Sequence, residues 1–234
     1  MVRSLFRRAL EVHRASEGCF DIAVAPLSRL WGFWDGVFRV PTPEQISNAV
    51  KKVGMEKIRE EKSSLRVPPG FGLDWGGIAK GLGIDLAAQS IKAKGITRGF
   101  INAGGDLFCW GKNPSQNSWK IGIKHPRQKG FFGVLEISDV GAATAGDYQR
   151  FFIEEGIRYH HIFDPRTGYP ASGMQSVTVI GPETLICDAL STALFVSSQP
   201  ERIIDRYPQY GAVIMDNKGQ ISFLGKGFPF QPVQ

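Results

Sequence analysis

The sequence has few cysteines, no long apolar run and no complete nucleotide-binding signature, and each shortage removes a class of protein. Cys19, Cys109 and Cys187 are far apart, odd in number and set among apolar neighbours. Neither a CxxC metal site nor a disulfide framework fits that spacing, so buried thiols are expected. No stretch approaches the ~18 consecutive apolar residues that a membrane span needs. The first residues carry Arg3, Arg7 and Arg8 and lack the apolar core of a signal peptide, so the chain as it stands is expected to have no export signal or transmembrane segment and to be cytoplasmic. No glycine-rich segment matches GxGxxG or GxxxxGK[ST], which removes the Rossmann and Walker readings. Internal repeats and low-complexity linkers are lacking too.

What is there suits a globular protein. The chain has 234 residues, 42% of them hydrophobic, enough to bury a sizeable core, and residues 1–234 read as a single domain. The formal charge of +6 would favour a polyanionic partner, but bases and acids are interleaved, as in Lys57 to Lys62. No basic stripe carries exposed aromatics, so no nucleic-acid partner is expected.

Val2, Leu5, Phe6, Ala9, Leu10 and His13 recur at helical spacing, which predicts an opening amphipathic helix with His13 as a packing residue. Thr42-Pro43-Glu44-Gln45 has the hydroxyl, the proline and the glutamine of a capping box, and predicts a second helix. The aromatic run Trp31-Gly32-Phe33-Trp34 reads as core. Leu65 to Leu73 reads as extended, and Gly76-Gly77 leads into a third helix that ends at Gly95. Strands are expected at Gly99 to Ala103, Leu107 to Trp110, Trp119 to Ile123 and Phe131 to Ile137. Further strands fall in a hairpin from Arg150 to Ile162, at Val177 to Ile180, and in a hairpin made of Ala212 to Met215 and Ile221 to Leu224. Leu185 to Val196 is the best late helix. Strands and helices mix without strict alternation, which favours α+β over a doubly wound sheet.

Four places could carry chemistry. The turn at Gly76-Gly77 opens a helix, offering backbone N–H groups and a positive dipole end to an anion, with Lys80 as a mobile cation. Asp188 and Thr192, at i and i+4, put a carboxylate and a hydroxyl on one helix face, about 5–6 Å apart at Cβ. Both are hard oxygen ligands of the kind magnesium takes, and a polar pair in so apolar a helix needs partners. His160 and His161 point to opposite sides of a strand, so one histidine acting as a proton carrier, or satisfied by a hydrogen bond, is the reading there. Asp147 is a carboxylate in a small-residue turn, Ala143 to Tyr148, and is ambiguous alone.

In order, Gly18-Cys19-Phe20-Asp21-Ile22, Leu30 to Phe33, Gly76 to Gly81, Ile101 to Asp106, Ala143 to Tyr148, His161 to Pro170 and Asp188 to Ala193 resemble the FAD:protein FMN transferases, the ApbE family. Seven ordered matches across nearly the whole chain are far more specific than any one. The resemblance implies an α+β fold of mixed, mainly antiparallel sheets with packed helices, ApbE-like and T-fold-related. It implies magnesium held by Asp188, Thr192 and the backbone carbonyl of Gly77, and FAD contacts from Phe20, Asp21, Lys80, His161 and Ile162. His161 becomes the expected proton carrier. The implied activity is transfer of FMN from FAD to a Thr or Ser of an acceptor protein, with release of AMP. The same site permits hydrolysis of FAD by water, and a non-catalytic flavin-binding or structural domain is the third reading. The sequence departs from the family pattern at Ile22, where proline is usual. Family members also carry roughly a further quarter of chain with no match before Met1, and are often exported lipoproteins.

Overall fold

Apolar side chains alternate along the late strands and recur every three to four residues along the helices, and the fold buries both patterns together. The computed structural model describes residues 1–233. The chain runs through α1 (Val2–Ala15), α2 (Ala25–Leu30), α3 (Pro43–Val50), the short pair β1 (Arg59–Glu60) and β2 (Leu65–Arg66), and α4 (Ala79–Ala93). Strands then dominate: β3 (Gly99–Ala103), β4 (Asp106–Trp110), β5 (Trp119–Lys124), β6 (Phe131–Ile137), β7 (Val140–Gly146), β8 (Phe151–Glu154), β9 (Ile157–His160) and β10 (Met174–Gly181). After α5 (Thr184–Val196) and α6 (Pro200–Ile204) come β11 (Gly211–Asp216), β12 (Ile221–Gly225) and β13 (Phe230–Pro232).

A six-stranded sheet in the order β12-β11-β10-β7-β4-β3 forms the centre, and every pair in it is antiparallel. Alternation gives it two apolar faces. Ala143, Ala145, Val177, Val179, Ala212 and Ile214 pack under α5 and α1. Leu107, Cys109, Ala142, Ile180, Val213 and Met215 pack against the three-stranded sheet β13-β6-β5 on the other side. Every residue of α5 except Thr192 is buried, so this helix is the axis of the core. Its first turn is capped from outside, because the carboxylate of Asp85 on α4 accepts the N–H groups of Thr184 (3.0 Å) and Leu185 (2.9 Å). At Gly81, an added Cβ would lie 2.4 Å from the Thr184 carbonyl oxygen, so only glycine lets α4 meet α5 so closely. The three cysteines are buried and unpaired. No helix among the described residues is long and apolar enough to cross a membrane.

The capping box forms as expected, with Thr42 and Gln45 exchanging side chain to backbone bonds at the start of α3. The aromatic run divides. Trp31 is fully buried with its Nε1 donating to the Gly168 carbonyl, and Phe33 is buried beside it, but Trp34 is 59% exposed. Two expectations fail locally. Only Leu65–Arg66 of the stretch Leu65 to Leu73 pairs as a strand, since Pro68 and Pro69 lack the N–H groups a ladder needs. The small-residue segment expected as a turn is instead β7, the strand between β10 and β4. Gly141, Ala143 and Ala145 are small because α5 lies close across this face: a Cβ on Gly141 would sit 2.3 Å from Thr184 Oγ1. The helices α2 and α6 and the strand β13 were not expected.

Candidate active site

The polar end of α5, the start of α4 and the end of β9 converge on one cavity of about 620 Å³. Its floor is charged. Asp188 is buried, and its Oδ2 accepts the N–H of Gly81 at 3.1 Å. Burial, and then the negative charge of Asp106, push the Asp188 carboxyl up to about 7, against the opposing pull of Lys80. Asp106 opens β4 and is itself buried; its Oδ2 takes Lys80 Nζ at 2.5 Å and its Oδ1 accepts the Thr144 N–H at 3.2 Å. The floor therefore presents one buried carboxyl group and one ammonium, with the buried Asp106 carboxyl behind Lys80 and outside the cavity lining. Thr192, the one residue of α5 not fully buried, also lines the cavity.

The start of α4 is less free for an anion than its glycines suggest. The Gly76 N–H goes to Asp74, those of Ile78 and Ala79 go to the Trp75 carbonyl, and that of Gly81 goes to Asp188. The helix start grips a carboxylate of its own chain. At Gly77 an added Cβ would lie 3.3 Å from both Thr192 Oγ1 and the Phe20 ring, so this backbone is wedged between the hydroxyl and an aromatic face.

The wall is different. His161 follows β9, and its Nδ1 lies 3.1 Å from the Arg150 carbonyl oxygen, to which it must donate, leaving Nε2 bare. Burial drives the imidazole down to about 4, so it is neutral near pH 7 and can accept a proton at Nε2. Ile162, buried, continues the wall, and Phe33 and Trp34 supply aromatic surface. Trp34 is held at the rim by the Arg29 guanidinium, 4.9 Å from its ring centroid.

All eight residues singled out from the sequence, Phe20, Asp21, Gly77, Lys80, His161, Ile162, Asp188 and Thr192, line this cavity. They differ in what their polar atoms do. Asp21 Oδ1 accepts the Ala23 N–H (2.6 Å) and Oδ2 the Met55 N–H (3.0 Å), so its carboxylate is spent on holding the chain. His13 Nδ1 donates to the Phe20 carbonyl at 2.8 Å and stands 3.4 Å from Asp21. His13, Asp21 and Glu56 bring potential ligand atoms within 4.8 Å of one another, but Asp21 and His13 Nδ1 are already engaged, and the cluster ties α1 to the next segments. Asp147, also weighed in the sequence, is paired in bidentate fashion with Arg127 away from the cavity lining.

Asp106 is the functional candidate that sequence reasoning missed. It closes the matched motif Ile101 to Asp106, and only the crossing of β4 beneath α4 brings it to Lys80. A carboxylate opening an otherwise apolar strand was the available signal. Thr144 and Arg150 also line the cavity and were not selected.

The donor set at the floor suits a hard cation. The Asp188 carboxylate, the Thr192 hydroxyl and the Gly77 carbonyl are all oxygen ligands, and neither Asp188 Oδ1 nor Thr192 Oγ1 has a hydrogen-bond partner among the described residues. With Asp106 already paired to Lys80, ionisation of Asp188 leaves a buried negative charge that a cation would meet.

A profile of the ApbE family matches residues 1–214. The chain is 34% identical over 206 residues to a protein of Haemophilus influenzae named FAD:protein FMN transferase, and 33% identical over 202 residues to one of the same name from Vibrio cholerae. These matches take in 83% and 84% of this chain and 60% of each relative, so the chain spans about three fifths of the length of these relatives. Among solved structures, the ApbE protein of Thermotoga maritima superposes with a TM-score of 0.88 at 36% identity, over 94% of this chain and 74% of that one. The apo flavinyl transferase ApbE of Pseudomonas stutzeri gives 0.82 at 33% identity, over 96% and 71%. Fold, ordered motifs and sequence identity agree: this chain belongs to the ApbE family.

Proposed function

We propose that this chain transfers the FMN half of FAD to a threonine or serine hydroxyl of an acceptor protein and releases AMP, with magnesium at the floor of the cavity. The observation that carries the reading is the pairing of two unlike groups across one cavity: an oxygen cluster with surplus negative charge, and a neutral imidazole with a bare Nε2. A hydrolase of uncharged esters would need the second but not the first.

The acceptor oxygen forms a P–O bond to the FMN phosphorus, and the pyrophosphate P–O bond to the AMP half breaks. The hydroxyl proton passes to His161 Nε2, and AMP leaves with the bridging oxygen. Magnesium held by Asp188, Thr192 and the Gly77 carbonyl would neutralise the pyrophosphate and the charge gathering on the leaving AMP. Asp106 keeps Lys80 beside the floor, within reach of a phosphate oxygen, and Phe20, Ile162 and Trp34 offer apolar surface to the flat rings.

The test is mass spectrometry of an acceptor protein incubated with FAD, magnesium and the full chain. An FMN adduct on Thr or Ser with equimolar AMP is expected. AMP without an adduct would select hydrolysis, and failure to bind FAD at all would sink both.

A further inference from the structure

Resting on the transferase reading, we propose that the acceptor polypeptide docks as an added β-strand on the open edge of β8, which guides its hydroxyl residue into the cavity at His161.

The hairpin β8–β9 is a sheet of two strands only, so each strand has one edge with no strand neighbour. Its register is set by a two-residue turn, with Glu155 at φ 49° and Gly156 at φ 77°, the pattern of a type I′ hairpin. The His161 N–H donates to the Arg150 carbonyl, so the pair Arg150 and His161 faces inward. Alternation then turns the N–H and C=O groups of Phe151 and Ile153 outward. No backbone or side-chain group outside the hairpin takes them among the described residues.

The edge of β8 is the one suited to a partner. At the root of β9 the His160 side chain is buried with its Nε2 on the Ala171 carbonyl. On β8, Ile153 is 60% exposed, an apolar side chain on an unpaired edge. Beside it the guanidinium of Arg158 lies over the Phe151 ring at 3.7 Å, and its buried Nη1 has no hydrogen-bond partner.

Continuity with the cavity picks out the occupant. β8 leads directly back to Arg150, which lines the cavity and whose carbonyl orients the His161 ring. A chain paired with Phe151 and Ile153 lies about 4.8 Å from β8 and, continued past Phe151, runs alongside Arg150 and Gln149 of the cavity lining. Main-chain pairing supplies affinity, and only the residue at the mouth must carry a hydroxyl. FAD has no use for such an edge, but a protein acceptor does.

The test uses the full chain with FAD, magnesium and a pooled library of short synthetic peptides, each with a central Thr or Ser, and identifies labelled peptides by mass spectrometry. The amides of a labelled peptide are then N-methylated one at a time. Labelling is expected to fall about tenfold or more at alternate positions on one side of the hydroxyl and to hold at those between. Ile153→Pro, which removes an outward N–H, should raise the peptide KM about tenfold while FAD affinity by titration stays unchanged. An N-methyl scan without alternation, or an unchanged KM, overturns the docking and leaves the transferase reading standing. A chain that dimerises through this edge, seen as dimer loss in Ile153→Pro by sedimentation, also overturns it. No labelled peptide at all overturns both.

Discussion

On the floor of the cavity stand Asp188 and Lys80, backed by Asp106, on α5, α4 and β4, elements that pack tightly against one another; on the wall His161 and Arg150 stand at the root of a two-stranded hairpin with exposed flanks. The floor is charged and pre-formed, with each carboxylate gripped by a backbone N–H. The imidazole of the wall is uncharged, since burial first and the nearby Arg150 charge after it hold it so, and around it Trp34, Val37, Phe38 and Ile153 are exposed apolar side chains. Burying charge costs free energy that only a rigid, hydrogen-bonded frame or a bound cation recovers. Surface left apolar and unpaired costs little in the folded chain and remains available to a partner. On the proposed function the two regions would divide the work: the floor would hold the nucleotide's charge, and the wall would move the proton and meet the acceptor.

The sharpest way to break that division is His161→Ala. If the wall acts on the acceptor's proton only, transfer should fall by roughly 100- to 10,000-fold, the range for loss of a general base, with FAD affinity within a few-fold of the parent. Steady-state rates and an FAD titration on the same preparation read the two quantities separately. Loss of FAD binding in parallel with rate would mean that the wall holds the nucleotide too.

Gly81→Ala tests the rigidity of the floor. The new Cβ would meet the Thr184 carbonyl and Leu185 Cα at 2.4 and 2.6 Å, so α4 and α5 must separate. Overpacking of this kind costs about 1–3 kcal/mol. The expected result in urea denaturation is a lower midpoint with an unchanged slope, together with weaker magnesium binding as Gly81 N–H leaves Asp188. A side-chain change such as Ile153→Thr on the exposed hairpin beside the wall, by contrast, should stay within about 0.5 kcal/mol. Equal losses at both positions would erase the contrast between floor and wall.

Much of this was legible in residues that carry a local signal. The capping box at Thr42, the i, i+4 pair Asp188 and Thr192, and the hairpin turn at Glu155-Gly156 each encode their geometry within a few residues, and each forms. β7 was not legible, because Gly141, Ala143 and Ala145 are small to admit α5, a need set by a helix about forty residues later. Asp106 was hidden for the same reason: nothing near it in sequence states that Lys80 and Asp188 will surround it. Local chemistry names candidates, and long-range packing decides which of them share a charge.

The smallest effect is the most specific, and it comes from Asp188. Its carboxyl is raised from 3.8 to about 7, first by burial and then by the charge of Asp106. The protonated form is the one the metal-free fold favours, so the stability this group brings is fully present below 3.8 and is lost as pH rises toward about 7. Magnesium needs the ionised form, so the sign reverses for binding: affinity should climb as pH rises up to about 7 and level off above it. Over the rising part, each pH unit should change affinity by up to tenfold, about 1.36 kcal/mol. Calorimetry in buffers of different ionisation heat should find up to one proton released per magnesium below pH 7 and almost none well above it. His161 cannot produce this limb, because its group titrates near 4. In Asp106→Asn the repulsion is gone and the midpoint should move down; a midpoint that stays in place would mean that burial alone sets the Asp188 carboxyl, and that the floor's two carboxylates do not act as a pair.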